Sequence, residues 1–191
     1  MNLIILRLTV IAFLCALALG LTHSSTKALI TVNKEQYALR QLQDLIGNSQ
    51  AEVREISDQY FEVTFNDALV GHIFEIQTLA GYNGEIIMWL AISTDNRVMG
   101  VRVSKHNETP GLGDDLDIDV SDWILSFNKH NLQSVHWDVK KDGGDFDQFT
   151  GATITPRAVV AAVKEGLAAY NTDPKRQSGN TKSYTKGNRD E

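Results

Sequence analysis

The sequence predicts an α+β domain, an antiparallel sheet with packed helices, preceded by a single N-terminal transmembrane helix. Three observations predict it. From Leu3 to Leu21 the chain is apolar except for Arg7 and Thr9, close to the ~20 residues that a membrane-spanning helix needs. Short apolar runs of strand character then cluster between Tyr60 and Val103. Helical spacing follows at Val159, Val160, Val163, Leu167 and Tyr170, and strands grouped ahead of helices favour α+β over alternating βαβ units.

The elements follow in chain order. Residues 1–27 read as a membrane anchor and linker. A cleaved signal peptide is the alternative, because Arg7 can close a basic leading region. Gly20-Leu21-Thr22 is a poor small-residue cleavage site, however, and Cys15 follows Phe13-Leu14 rather than the small residues that lipid attachment prefers. Arg7 on the N-terminal side places the body on the outer face, with Lys27 weakening that bias. On either reading the body is exported.

Residues 28–170 form the domain. Asn33 followed by Gln36 resembles a capping box. Tyr37, Ala38, Leu42, Leu45 and Ile46 then recur at helical spacing until Gly47 stops the helix. Strands are expected at Tyr60–Phe65, Gly71–Ile76, Ile86–Ile92 and Val98–Val103. The third is apolar throughout, which suits a central buried strand, and Asp95-Asn96 turns it into the fourth. A short helix is expected over Ser121–Asn128, burying Trp123, Ile124 and Phe127. Alternation at Val135, Trp137 and Val139 predicts a further strand. Residues 171–191 are polar, rich in Gly, Ser, Asn and Lys, and read as a disordered tail.

Composition excludes several functions. The 191-residue chain is 42% apolar and carries a formal charge of −6. Residues 28–170 hold 11 basic against 21 acidic side chains, so the domain has no cationic footprint for nucleic acid. Cys15 is the single cysteine, which rules out an intramolecular disulfide, a cysteine-ligated zinc and an iron–sulfur cluster built from this chain alone. His23, His72, His106, His130 and His136 have no metal-ligand spacing, and His106 with Glu108 is at most a loose pair. No metal site is expected. Redox chemistry here requires an organic cofactor.

Two stretches carry that chemistry. In Asp147-Gln-Phe-Thr-Gly-Ala-Thr-Ile-Thr-Pro156, Pro156 suits the first helical position and Thr155 the N-cap. Gly151 and Ala152 remove side-chain bulk, so a ligand can approach the backbone. A helix N-terminus offers free N–H groups and the positive dipole end, which suit a phosphate. A plain loop capped by Thr155 is the alternative. The second stretch, His106-Asn-Glu-Thr-Pro-Gly-Leu-Gly-Asp114, is a tight Pro-Gly loop. Taken alone, it reads as a surface turn.

Together these residues resemble a known family. Asp147-x-x-Thr150-Gly151-Ala152-Thr153 is similar to the Asp-x-x-Ser/Thr-Gly-Ala-Thr motif of FMN-binding domains in the Rnf and Nqr families. Glu108-Thr-Pro-Gly-Leu-Gly113 resembles a second motif of the same families, and Gly81-Tyr82-Asn83-Gly84 resembles a third. The match covers about residues 1–170 and is most like the G subunit of Rnf electron-transport complexes. The C subunit of Na⁺-translocating NADH:quinone reductase is the runner-up.

The resemblance implies FMN joined as a phosphoester to Thr153 by a flavin transferase, with Thr155 the nearest alternative acceptor. It implies cofactor contacts from Asp147, Thr150, Gly151, Ala152 and Thr155. Thr109 and Gly111 would supply hydrogen bonds at the isoalloxazine, Leu112 an apolar face, and Tyr82 a stacking ring. Glu108 would brace the loop rather than act as a base, and no catalytic residue is implied.

The implied role is electron transfer within a membrane-bound, ion-translocating ferredoxin/NAD oxidoreductase, beside other membrane subunits. The chain would be single-pass in a bacterial inner membrane through residues 3–21, with its FMN domain periplasmic. Two other classes stay open: a flavin domain of another exported reductase, and an envelope interaction module without flavin. Flavin content separates the last from the others.

Overall fold

The computed structural model describes residues 5, 7–17, 42–47, 50–57 and 59–172. Its centre is one five-stranded sheet: β1 (Glu52–Ser57), β2 (Tyr60–Phe65), β3 (Ala68–Gly81), β4 (Gly84–Ser93) and β5 (Val98–Lys105). The spatial order is the chain order and every neighbouring pair is antiparallel. Turn chemistry explains this meander. Asn66 and Asp67, at φ 49° and 63°, join β2 to β3 across the Phe65↔Ala68 pair. Two positive-φ residues are what a type I′ hairpin requires, and Asn and Asp tolerate that conformation best among non-glycines.

Both faces of the sheet are covered. On one, Tyr60, Phe74, Met88, Leu90 and Val101 pack with Val159, Val160, Val163 and Leu167 of α1 (Ile154–Thr172). On the other, Leu42 and Leu45 pack with Phe61, Val63, Ile73 and Ala91. This double cover explains the apolar run in β4. Ile86, Met88, Leu90 and Ile92 enter the first core, while Ala91 enters the second with Trp89 packed against it. The strand is interior, between β3 and β5, rather than central.

The expected strands and the β4–β5 hairpin are present, with β3 and β4 longer than their apolar runs suggest. Paired ladders carry them past the buried stretch. β1 was not anticipated, because its alternation is weak and it lies at a sheet edge. The expected strand at 135–139 does not form. Val139 makes one isolated bridge to Phe146, and Trp137 packs on Phe127 and Phe146 at 6.2 and 5.2 Å between ring centroids. The alternation there records burial in an irregular loop. The helix expected over Ser121–Asn128 is a 3-10 segment, Trp123–Phe127.

Of the helix expected after Asn33, residues 42–46 are helical and Gly47 follows at φ 63°; residues 33–41 lie outside the described residues. Residues 5 and 7–17 form a separate unit and are helical. Among the described residues no helix is long and apolar enough to cross a membrane. The remainder of 3–21 and the tail beyond Thr172 lie outside them.

Candidate functional site

Three loops converge at the start of α1. The first is the Tyr82-Asn83 turn between β3 and β4, closed by the Gly81↔Gly84 pair, with Gly84 at φ 101°. The second, residues 106–113, leaves the end of β5. Its Pro110-Gly111 turn closes through hydrogen bonds from the Leu112 and Gly113 amides to the Thr109 carbonyl, 3.1 and 2.9 Å. The third, residues 147–153, runs into α1.

They enclose a cleft of about 290 Å³ lined by Tyr82, Glu108, Thr109, Leu112, Gly113, Gly151, Ala152, Thr153, Ile154 and Thr155. Its rim is apolar: Tyr82 is 68%, Leu112 49% and Ile154 47% exposed. Large apolar side chains so open to water at one concavity mark a binding surface more often than a defect.

Glu108 is the hub of these loops. Although charged in type, it is only 5% exposed. One carboxylate oxygen accepts the Asn83 amide at 3.0 Å, and the other accepts the Thr155 hydroxyl. Its own amide donates to Nδ1 of His106 at 3.1 Å, and Nε2 of that ring lies 2.8 Å from the Asp117 carboxylate. With Nδ1 accepting, the imidazole proton sits on Nε2 and faces Asp117. Asn83 Nδ2 also donates to Thr109 Oγ1 at 3.1 Å. The site's polar groups are thus bound mostly to one another, across all three loops.

The helix begins earlier than expected. α1 starts at Ile154, so Pro156 is its third residue and Thr155 lies inside the first turn instead of capping it. Thr153 takes the flanking position, its carbonyl accepting the Arg157 amide at 3.3 Å. The amides of Thr153, Ile154 and Thr155 therefore precede the first intrahelical bond, and Pro156 has no N–H. The two threonines differ in consequence. Thr155 is 1% exposed and its hydroxyl is bound to Glu108. Thr153 is half-buried at the cleft wall, and its hydroxyl has no partner among the described residues.

Eight of the expected contact residues reach the cleft: Tyr82, Glu108, Thr109, Leu112, Gly151, Ala152, Thr153 and Thr155. Asp147, Thr150 and Gly111 do not line it. Asp147 points to solvent, pairs with Lys140 Nζ at 2.6 Å, and takes the Trp123 indole N–H on its carbonyl at 2.7 Å. Gly111, at φ 77°, shapes the turn, and its amide donates to Asp114 at 2.7 Å. Gly113 and Ile154 line the cleft without having been expected there. Gly113 was visible inside its motif, but Ile154 carried no signal, because a single isoleucine at a helix start reads as core. Among the described residues no group of acidic, histidine and cysteine side chains could hold a metal.

The family model described as the FMN-binding domain matches residues 81–168, a span that includes all three loops. The G subunit of the ion-translocating oxidoreductase complex from Pseudoalteromonas atlantica is 38% identical over 187 residues, 88% of this chain and 87% of that one. The G subunits of Shewanella loihica and Pasteurella multocida are 55% and 49% identical over 96 and 111 residues. Those two alignments span only about half of each relative's length, 45% and 55%. Among solved structures, the C subunit of the Na⁺-translocating NADH-quinone reductase from Parabacteroides distasonis gives a TM-score of 0.48 at 23% identity. It covers 59% of this chain and 60% of that one, a likeness too slight to bear on function. With one relative aligned along nearly nine-tenths of both chains, this chain belongs to the G-subunit family of ion-translocating oxidoreductase complexes.

Proposed function

We propose that this chain is an electron-transfer subunit of an ion-translocating, ferredoxin/NAD-type oxidoreductase complex, holding FMN in the three-loop cleft as an ester of Thr153. The observation that carries the attachment is the contrast between the two threonines. Thr153 presents a half-buried hydroxyl at a helix start, with no partner among the described residues, whereas the Thr155 hydroxyl is buried and committed to Glu108.

The residues present suit FMN. The amides ahead of the first helical bond, with the positive dipole end, favour a phosphate. Gly151, at φ 77°, carries no side chain between the helix start and the opening. Tyr82, Leu112, Ala152 and Ile154 supply apolar walls for a flat aromatic ring, and Thr109 a hydroxyl at its edge.

Attachment forms a Thr153 Oγ–P bond while the diphosphate bond of FAD breaks. AMP leaves and the hydroxyl proton passes to the flavin transferase that acts during maturation. Bound FMN supplies reversible electron uptake at the cleft. The chain's own residues bind and orient it, and none is positioned as a proton-transferring catalyst.

Residues 1–27 are the proposed anchor, 28–170 the FMN-binding domain and 171–191 a tail. The anchor is supported by the outward display of Leu8, Ile11, Phe13 and Leu14, 56–67% exposed on the helix at residues 7–17, since so much apolar surface calls for lipid or a partner. The chain would then be single-pass in a bacterial inner membrane, its domain on the periplasmic side beside the other membrane subunits.

Flavin fluorescence in a denaturing gel tests the reading. The full chain, exported and expressed with a flavin transferase, is expected to fluoresce, and Thr153→Val to be dark. A dark wild-type band, with the transferase active on a control substrate, would defeat the covalent assignment.

A further inference from the structure

We propose that Glu108 is the positioning residue for flavin attachment: by holding the Thr155 hydroxyl, it leaves Thr153, rather than Thr155, as the free acceptor at the start of α1. The proposal rests on reading the cleft as the FMN site.

Four observations carry it. First, the Glu108 carboxylate is 5% exposed, and the two partners of its oxygens, the Asn83 amide and the Thr155 hydroxyl, are both uncharged. Burying a carboxylate among neutral groups is costly, and an apolar side chain would brace three loops more cheaply. Second, the socket is built around the carboxylate. A β-carbon on Gly81 would stand 2.8 Å from Oε1, and one on Gly113 would stand 3.0 Å from Oε2. Third, the residues joined are remote in sequence: 25 positions separate Asn83 from Glu108, and 47 separate Glu108 from Thr155. They meet only at the cleft.

The fourth observation concerns helical geometry. Thr155 lies in the first turn of α1 and Thr153 immediately precedes the helix, and both reach the same cleft. Pinning Thr155 to Glu108 therefore ties down the helix start, with Thr153 two residues before it. It also withdraws the neighbouring hydroxyl, which otherwise sits two residues away with the same chemistry. Glu108 acts on the acceptor through Thr155 and does not touch it.

The test uses the full chain, exported and co-expressed with a flavin transferase. Covalent flavin is measured per folded chain, the modified residue is mapped by mass spectrometry of peptides, and thermal melting is followed in parallel. In Glu108→Ala, flavin on Thr153 is expected to fall several-fold, with part of the remainder moving to Thr155. Glu108→Gln is expected to restore it, because the amide oxygen can accept from Asn83 while its NH₂ donates to the Thr155 hydroxyl.

Thr155→Val preserves the side-chain shape and removes the donor, so it decides the matter should Glu108→Ala fail to fold. It too is expected to lower attachment on Thr153 several-fold. Wild-type yield on Thr153 alone in both Glu108→Ala and Thr155→Val would overturn the proposal. So would a Glu108→Gln chain as poorly labelled as Glu108→Ala, or a deficit that vanishes once folded protein is counted. Failure of the site reading looks different: wild type unlabelled, or Thr153→Val labelled as fully as wild type.

Discussion

Gly113 lies against Glu108 so closely that a β-carbon added there would stand 2.9 Å from the glutamate's own Cβ. The Gly113 backbone is unstrained, at φ −115° and ψ −3°, so an alanine meets the carboxylate rather than a conformational penalty. Overpacking of this kind costs about 1–3 kcal/mol. Gly113→Ala is expected to lower stability by that amount in chemical denaturation and to weaken flavin attachment along with it. Full stability in the alanine chain would show that the loop can shift without moving Glu108.

Gly166 poses the same question where two effects oppose each other. Within α1, alanine is favoured over glycine by about 1 kcal/mol. Here the helix rests on the sheet, and a β-carbon would come within 2.8 Å of Leu90 Cδ2 and 3.1 Å of Ile76 Cγ2. Those are side-chain ends, so part of the clash relaxes, but Leu90 is fully buried and Ile76 packs against the same core. Gly166→Ala is expected to be destabilising by about 1 kcal/mol net, since overpacking at 1–3 kcal/mol exceeds the propensity gain. A raised melting temperature would mean that Leu90 and Ile76 yield freely.

Most of this fold was legible where burial leaves a period. β2 begins and ends where its apolar run does, and the α1 stripe from Val159 to Tyr170 is its buried face. Legibility failed where burial and ladder pairing part company. Trp137 and Val139 alternate like a strand but are buried by aromatic packing in a loop, and β1 pairs at an edge with little burial to signal it. At the cleft, the motif residues were readable, but their division of labour was not. Asp147 belongs to a surface pair with Lys140, and Thr155 is bound to Glu108, because α1 starts two residues before Pro156. A proline that suits the first helical position is equally tolerated at the third, where no intrahelical bond is yet required of its nitrogen.

The sheet–α1 interface makes stability pH-dependent at both ends. His72 is fully buried, its Nδ1 2.8 Å from the Tyr170 hydroxyl. Burial holds its pKa below the usual 6.5, against the opposing pull of Glu62. Below about 6.5 the unfolded chain takes up a proton that the folded chain resists, so stability is complete above that pH and falls as pH drops through it. Burial likewise pushes the Tyr170 phenol up to about 12 from 10. The unfolded chain loses that proton first, so stability also falls as pH rises from 10 towards 12. Melting temperatures across pH 5–8 are expected to decline on the acid side, and less so in His72→Gln. An alkaline absorbance titration should show a tyrosine ionising near 12, and its loss in Tyr170→Phe identifies the residue.

Leu112 offers the most direct check on where the flavin ring lies. It sits on the cleft rim, 49% exposed, just after the Pro110-Gly111 turn in the chain. Leu112→Asp puts a negative charge at that wall while leaving the Thr153 side chain and its helix start in place, so attachment should persist. An anionic neighbour disfavours electron uptake, so the potential should fall. With the rim half open to water the interaction is screened to about 1 kcal/mol, which for a one-electron step is on the order of 40 mV. Leu112→Asn, polar but neutral, separates charge from lost packing and should shift the potential far less. A redox titration that leaves Leu112→Asp at the wild-type value would place the ring against Tyr82 and Ile154 instead, away from this loop.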